Sequence, residues 1–330
     1  MTPSDILSRF SGLRILVIGD LMLDHYVWGE VSRISPEAPV PIVHVVRESD
    51  TAGGAANVAL NLAALGVRAE VIGCLGDDAA GARLRGLLDA RGIATARCAV
   101  CPGAPTIVKT RVVARTQQLC RIDHEATRSA YDFAGSAGGE AALSAAVAEA
   151  DAIIVSDYAK GVVTQALLDR VIALGKTHGH LVAVDPKPAR RLNLTGAGVM
   201  TPNRAEALEL AGLAGDGGGE PPALEEIARR IHAAYAPALL VITLGADGMA
   251  LCREGRVEHR MPTHAREVFD VSGAGDTVIA MLTAALAAKA SPVDAAHLAN
   301  LAAGIVVSKF GTATVTPAEV LEFAKECSGP

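Results

Sequence analysis

The chain has 330 residues, half of them apolar, a net charge of −6 and a pI near 5.9. That length and apolar content predict one large α/β domain with a small appendage. Mild acidity without a basic block argues against non-specific nucleic-acid binding, and the lack of a charged-then-apolar leader or a membrane-length apolar run predicts a cytoplasmic protein with no membrane partner.

In chain order, hydrophobic periodicity predicts a strand at 14–18, lid-type strands around 25–46, a helix at 54–65, a strand at 68–74 and a helix at 79–91. Lid-type strands return at 106–122. Next come a helix at 138–149, a strand at 152–156, a helix at 164–177, strands at 181–185 and 198–201, and helices at 203–211 and 223–233. After a strand at 238–243, a hairpin covers 249–261 and two helices close the fold. This alternation predicts a doubly wound, mostly parallel sheet flanked by helices, with a small β-sheet lid. Gly215 to Pro222 reads as a flexible surface loop within one domain, because the same pattern resumes on both sides. The segment Ser32 to Ile42 holds Pro36, Pro39 and Pro41, which suits an edge strand or lid and not a central element.

Six scattered cysteines, with Cys98-Ala-Val-Cys101 lacking a second pair at zinc-finger spacing, predict reduced free thiols. His178 and His180 lack the spacing of a zinc-protease helix.

The most informative stretch is Val268-Phe-Asp-Val-Ser-Gly-Ala-Gly-Asp-Thr277, which precedes a near-continuous apolar run to Ala288. A buried helix starting at Ser272 to Asp276 presents unsatisfied N–H groups and the positive pole of its dipole there. Gly273 and Gly275, which have no Cβ, leave space for an anion. A carboxylate in that turn would repel the anion, so Asp276 suits the role of base for an attacking alcohol; a plain N-terminal helix residue is the alternative. Ala52-Gly-Gly-Ala-Ala-Asn57 places Gly53 and Gly54 at another helix start, with Asn57 one turn further in. That carboxamide offers a donor and an acceptor to a hydroxyl.

Asn203 and Glu206 lie three apart at the start of a helix, as a capping box or as oxygen groups around a hard cation. Leu239 to Gly248 is a buried strand running into a glycine turn. Its carboxyl edge is expected to meet nucleotide, with Thr243, Gly245 and Gly248 as contacts. Ser272 and Asn300 complete that candidate set; burial against the sheet would look the same for most of the helix around Asn300. Asp20 and Asp24 follow the first strand and suit a polyol ring, or are exposed loop acids.

Together these motifs resemble the ribokinase-like family of ATP-dependent carbohydrate kinases over essentially the whole chain. The resemblance implies that Gly54 and Asn57 touch a sugar, that Gly273, Ala274, Gly275 and Asp276 face the transferring phosphate, and that Asn203 and Glu206 organise Mg²⁺ through water. In place of the Thr common in that family, Val271 follows Asp270, so Val271 is given no polar role. The runs Ile18 to Tyr26, Ser32 to Ile42 and Asp157-Tyr-Ala-Lys-Gly161 resemble a bacterial subgroup acting on heptose 7-phosphate in lipopolysaccharide core biosynthesis. For that subgroup the implied reaction is phosphorylation of the anomeric O1 to the 1,7-bisphosphate. Other sugar kinases of the family, of fructose or fructose-phosphate type, and a non-catalytic sugar-phosphate sensor are the rival readings.

A phosphorylated substrate needs a second anion site. Lys109, Arg111, Arg115 and Arg121 around the second lid segment are candidates, as are Lys160 and Lys187 at strand ends, with Arg111, Lys160 and Lys187 preferred. Some relatives carry a fused nucleotidyltransferase domain with a His-x-Gly-His signature; His178-Gly179-His180 does not match it, so the kinase step alone is expected here. Unpaired lid edges predict a homodimer through the lid strands.

Overall fold

The strand β1 (Arg14–Gly19) is buried along almost its whole length, a pattern that requires cover on both faces of the sheet. Its side chains alternate accordingly. Ile15 and Val17 join one core cluster, and Leu16 and Ile18 join another on the opposite face. The same split recurs in β9 (Ala152–Ser156), where Ala152 and Ile154 face one layer and Ile153 and Val155 the other. The computed structural model describes every residue except 102, 116, 137, 215–221, 266–267, 310 and 329–330. Most of the loop expected at Gly215 to Pro222 lies outside the described residues.

A short helix, α1 (Pro3–Leu7), precedes β1; then the chain makes two long lid strands, β2 (Leu21–Ile34) and β3 (Pro41–Gly54), and the helix α2 (Ala55–Ala64). It continues through β4 (Arg68–Ile72), β5 (Cys74–Leu75), α3 (Ala79–Asp89) and β6 (Ala99–Val100) to the second lid pair, β7 (Ile107–Ala114) and β8 (Gln117–His124). Next come α4 (Gly139–Glu149), β9, α5 (Gln165–His178), β10 (Leu181–Asp185), β11 (Val199–Met200), α6 (Arg204–Leu210) and α7 (Leu224–Tyr235). The chain finishes with β12 (Leu239–Thr243), the hairpin β13 (Met249–Arg253) and β14 (Arg256–Met261), and α8 (Ala274–Ala287), α9 (Pro292–Val306) and α10 (Pro317–Ser328). Two closing helices were expected; α10 adds a further one among the described residues.

The main sheet has eight strands in the order β14-β13-β12-β11-β10-β9-β1-β4, parallel except at the β13 and β14 edge. One face is covered by α2, α3, α8 and α9, and the other by α4 to α7. Strand order reverses at β1, which pairs with β4 on one side and β9 on the other. The carboxyl ends of β1 and β9 therefore flank a switch-point crevice.

The lid is a separate four-stranded sheet, β3-β2-β7-β8, in which β2 and β7 run parallel. Its strands are longer than expected, β2 and β3 each spanning 14 residues. Residues 35–40, with Pro36 and Pro39, form the turn between them, and Pro41 opens β3 at the edge of this sheet. All six cysteines are free thiols, and no helix among the described residues is long and apolar enough to cross a membrane.

Candidate active site

Asp276 lies in the first turn of α8, 4% exposed, where the helix begins against the end of α2. Its Oδ2 accepts from Asn57 Nδ2 at 2.7 Å, across 219 positions of sequence. Its Oδ1 accepts from the Tyr158 hydroxyl at 2.7 Å. The next residue, Thr277, donates through Oγ1 to Oδ1 of Asn61, one turn beyond Asn57 on α2, at 2.8 Å, so the two helices share a polar seam inside an apolar interface. Burial pushes the Asp276 carboxyl up to about 6, with the Asn57 and Tyr158 hydrogen bonds opposing that rise. The group is a carboxylate near neutral pH yet basic enough to take a proton from an alcohol.

Backbone geometry explains the glycines on either side. Gly273 caps α8 at φ 81°, and a Cβ there would come within 2.7 Å of Asn57 Nδ2. At Gly275 a Cβ would meet no protein atom within 4 Å, so this residue faces open cleft beside the first-turn N–H groups. An anion bound there would sit at the positive end of α8.

A cavity of about 370 Å³ runs from this helix end along the sheet edge. Thr243, Gly245 and Gly248 line it on one side, Ala274, Gly275 and Val278 on another, and Asn300, Ala303 and Gly304 of α9 on a third. Its mainly apolar wall suits a flat heterocycle with phosphates directed at Gly275. Val271 also lines it, as an apolar residue. Asn300 contributes less than its polarity suggested, because its Nδ2 donates to the Pro262 carbonyl at 2.7 Å. Ser272 is held by a bond from its N–H to Asp270 Oδ1 at 2.9 Å.

Asn203 and Glu206 form a full capping box at the start of α6, and Glu206 also accepts from Lys187 Nζ at 2.7 Å. This ion pair sets Lys187 beside the Asn203 and Glu206 cap, apart from the lid cations Lys109, Arg111 and Arg121. Among the described residues no group of three or more His, Cys, Asp or Glu side chains forms a metal cage. The oxygens of Asn203 and Glu206 fit a hydrated Mg²⁺ better than a directly ligated ion.

The lid supplies the other wall. Asp24 on β2 is 4% exposed and pairs with Arg111 Nη1 at 2.5 Å, while the Arg111 guanidinium lies 5.4 Å over the Tyr26 ring. Gly53 makes room for this pair, since a Cβ there would fall 2.4 Å from Asp24 Oδ2. On β7 the Lys109 ammonium lies 5.7 Å from the centre of the Tyr158 ring, and burial lowers its pKa. Lys160 pairs with Glu125 and Arg121 with Asp123. Arg115 stands apart, exposed in the turn after β7.

Asp20 departs from the expected sugar contact. It is fully buried and accepts from the backbone N–H groups of Tyr158, Lys160 and Val162 at 2.9, 3.0 and 3.0 Å. With both oxygens engaged, its carboxylate braces the loop after β9 instead of presenting itself to hydroxyls. Its carbonyl accepts from Ala55 N at 3.0 Å, and the intervening position needs glycine, because Gly54 is at φ 59° and a Cβ would lie 2.4 Å from that carbonyl. Tyr158 was missed as a site residue by sequence reasoning, although the Asp157 to Gly161 run containing it had been noted.

The pattern that defines the pfkB family carbohydrate kinases matches residues 13–319. The chain is 48% identical over 326 residues to the "Bifunctional protein HldE" of Halorhodospira halophila, covering 97% of this chain and 65% of that protein. It is 45% identical over 313 residues to the protein of the same name from Desulfatibacillum aliphaticivorans, covering 95% and 63%. The chain therefore spans just under two thirds of the length of these relatives. Among solved structures, a putative ribokinase from Agrobacterium tumefaciens superposes with a TM-score of 0.75 at 22% identity, covering 96% of this chain and 99% of that one. The ribokinase of Arabidopsis thaliana, solved with ribose and ATP, has a TM-score of 0.75 at 21% identity over 95% of this chain and 99% of that one. At these identities the structural likeness concerns the fold.

Proposed function

This chain belongs to the pfkB family of carbohydrate kinases, and on that premise we propose that it transfers the γ-phosphoryl group of ATP to the anomeric O1 of D-glycero-β-D-manno-heptose 7-phosphate. The products are the 1,7-bisphosphate and ADP, in the supply of activated heptose for the lipopolysaccharide core. The observation that carries this reading is the meeting of Asn57 and Asp276 at the open end of α8, beside Gly275. Identity of 45 to 48% with the HldE proteins supports the heptose substrate over fructose-type sugars.

In this mechanism Asp276 takes the O1 proton as the bond from O1 to the γ-phosphorus forms and the bond to the β,γ-bridging oxygen breaks. The first-turn N–H groups of α8 stabilise charge on the transferring phosphoryl group. Asn203 and Glu206 would hold Mg²⁺ through water, and that ion would neutralise phosphate charge. Arg111, with Lys109, Lys160 and Arg121 around the same rim, would receive the sugar's 7-phosphate. The lid's exposed Ile34, Val45, Val46 and Ile122 support a homodimer through this sheet. We place the enzyme in the cytoplasm, where ATP is available.

Coupled ADP release with heptose 7-phosphate against fructose 6-phosphate tests the assignment. Strong preference for the heptose is expected; preference for the fructose ester would move the chain to another branch of the family, and no ADP with any sugar would favour a sensor.

A further inference from the structure

Asp276 is held by two donors, and only one of them, Asn57, was singled out as a site residue by the sequence. Asn57 reaches Oδ2 from α2, while Tyr158 reaches Oδ1 from the loop after β9. Each oxygen keeps a further lone-pair site, so the carboxylate can still receive an alcohol proton while its plane is fixed.

The Tyr158 loop is built to stay where it is. Asp20 collects the N–H groups of Tyr158, Lys160 and Val162. Ala159 is at φ 58°, unusual for a residue with a side chain, and Gly161 at φ 134° lies against the Arg128 carbonyl, where a Cβ would come within 2.1 Å. Burial and the neighbouring Asp276 and Asp185 carboxylates raise the phenol pKa well above its ordinary value, so its oxygen remains a donor. A loop strained and braced in this way for one phenol implies that the phenol matters to the base.

We propose that Tyr158 is a positioning residue for phosphoryl transfer, its hydroxyl holding one Asp276 oxygen so that the carboxylate is both oriented and kept ionised for the acceptor hydroxyl. This rests on the reading of Asp276 as the base. The charged groups facing the pair come from several elements: Asp24 on β2, Lys109 on β7 and Asp185 at the end of β10. Asp24 opposes ionisation of Asp276, and Lys109 favours it. Asp157, also pushed up to about 6 by burial, titrates in the same window but feels Asp20, Arg190 and Lys187. Tyr158→Phe changes the bond to Asp276 and leaves that second group alone.

The test is the pH profile of kcat/KM for wild type, Tyr158→Phe and Asp276→Asn, with melting curves for each. The profile of kcat/KM reports the ionisations of the free enzyme. Losing a hydrogen bond to the charged carboxylate should move the acid limb of Tyr158→Phe upward by about one pH unit. Its activity would then fall roughly fivefold at pH 6 and change little at pH 8. Replacing Tyr158 with 3-fluorotyrosine, a stronger donor, should move the limb downward, a sign reversal that a packing defect does not produce. A Tyr158→Phe profile lowered equally at every pH, or overlaying wild type, would overturn the positioning role while leaving Asp276 as base. Full turnover in Asp276→Asn would remove the base itself and the proposal with it.

Discussion

Replacing Asp276 by Asn should slow turnover and stabilise the fold. Its carboxyl has an ordinary value of 3.8 and stands at about 6 in the folded chain. That rise of roughly two units, at about 1.36 kcal/mol each, amounts to about 3 kcal/mol. Below pH 3.8 the group is protonated in both states and carries no penalty. As pH rises from there to about 6 the unfolded chain ionises first and wild-type stability falls; above about 6 the folded state bears the full penalty. Asn does not ionise, and the orphaned Oδ1 of Asn57 gives the new carboxamide an acceptor after an amide flip. In melting experiments at pH 8 the variant should gain about 4 °C, given the unfolding entropy of a chain this long, and the gain should shrink at pH 4. Turnover should fall by roughly 100-fold to 10,000-fold. A variant that melts at or below wild type at pH 8, or whose advantage is the same at both pH values, would refute the account of a strained, buried base.

Other changes probe separate walls of the cleft. Gly275→Val places a side chain where no protein atom lies within 4 Å, so melting should hold while turnover drops by roughly 100-fold from lost access to the helix end. A large loss of melting temperature would show that the space belongs to packing. Arg111→Met strands Asp24, whose side chain is 5% exposed, and should cost about 3 kcal/mol in urea unfolding; an unchanged midpoint would mean that water already serves that carboxylate. Val46, 66% exposed on the lid, is the place to test association: Val46→Glu should halve the mass seen by light scattering, and a monomeric wild type would dismiss the lid dimer.

Much of the fold was legible because the main strands are continuous apolar runs that alternate with segments of helical periodicity. The pairing of Asn57 with Asp276 was also legible, since glycine-rich helix starts at both ends of the chain point to one ligand. The role of Asp20 was not. A carboxylate bonded to backbone N–H groups well over a hundred positions away has no signature in residue type, and it reads the same as one facing a sugar. Tyr158 was hidden for a related reason, because a lone aromatic after a strand is normally packing. Lys187 follows a strand end that borders both candidate ligand halves, and residue type alone does not show its partner, Glu206. The parallel pairing of β2 with β7 joins segments far apart in sequence, so alternation alone shows strands without showing partners.

Asp20 is the one residue between β1 and β2, and so it is the joint from which the lid springs. Its carboxylate grips the Tyr158 loop and its carbonyl grips the first turn of α2, which carries Asn57. Both tethers of the Asp276 carboxylate therefore run back to a single pivot. If the lid swings about that point in the proposed reaction, both tethers move together, and closing over the sugar and aligning the proton acceptor become one motion.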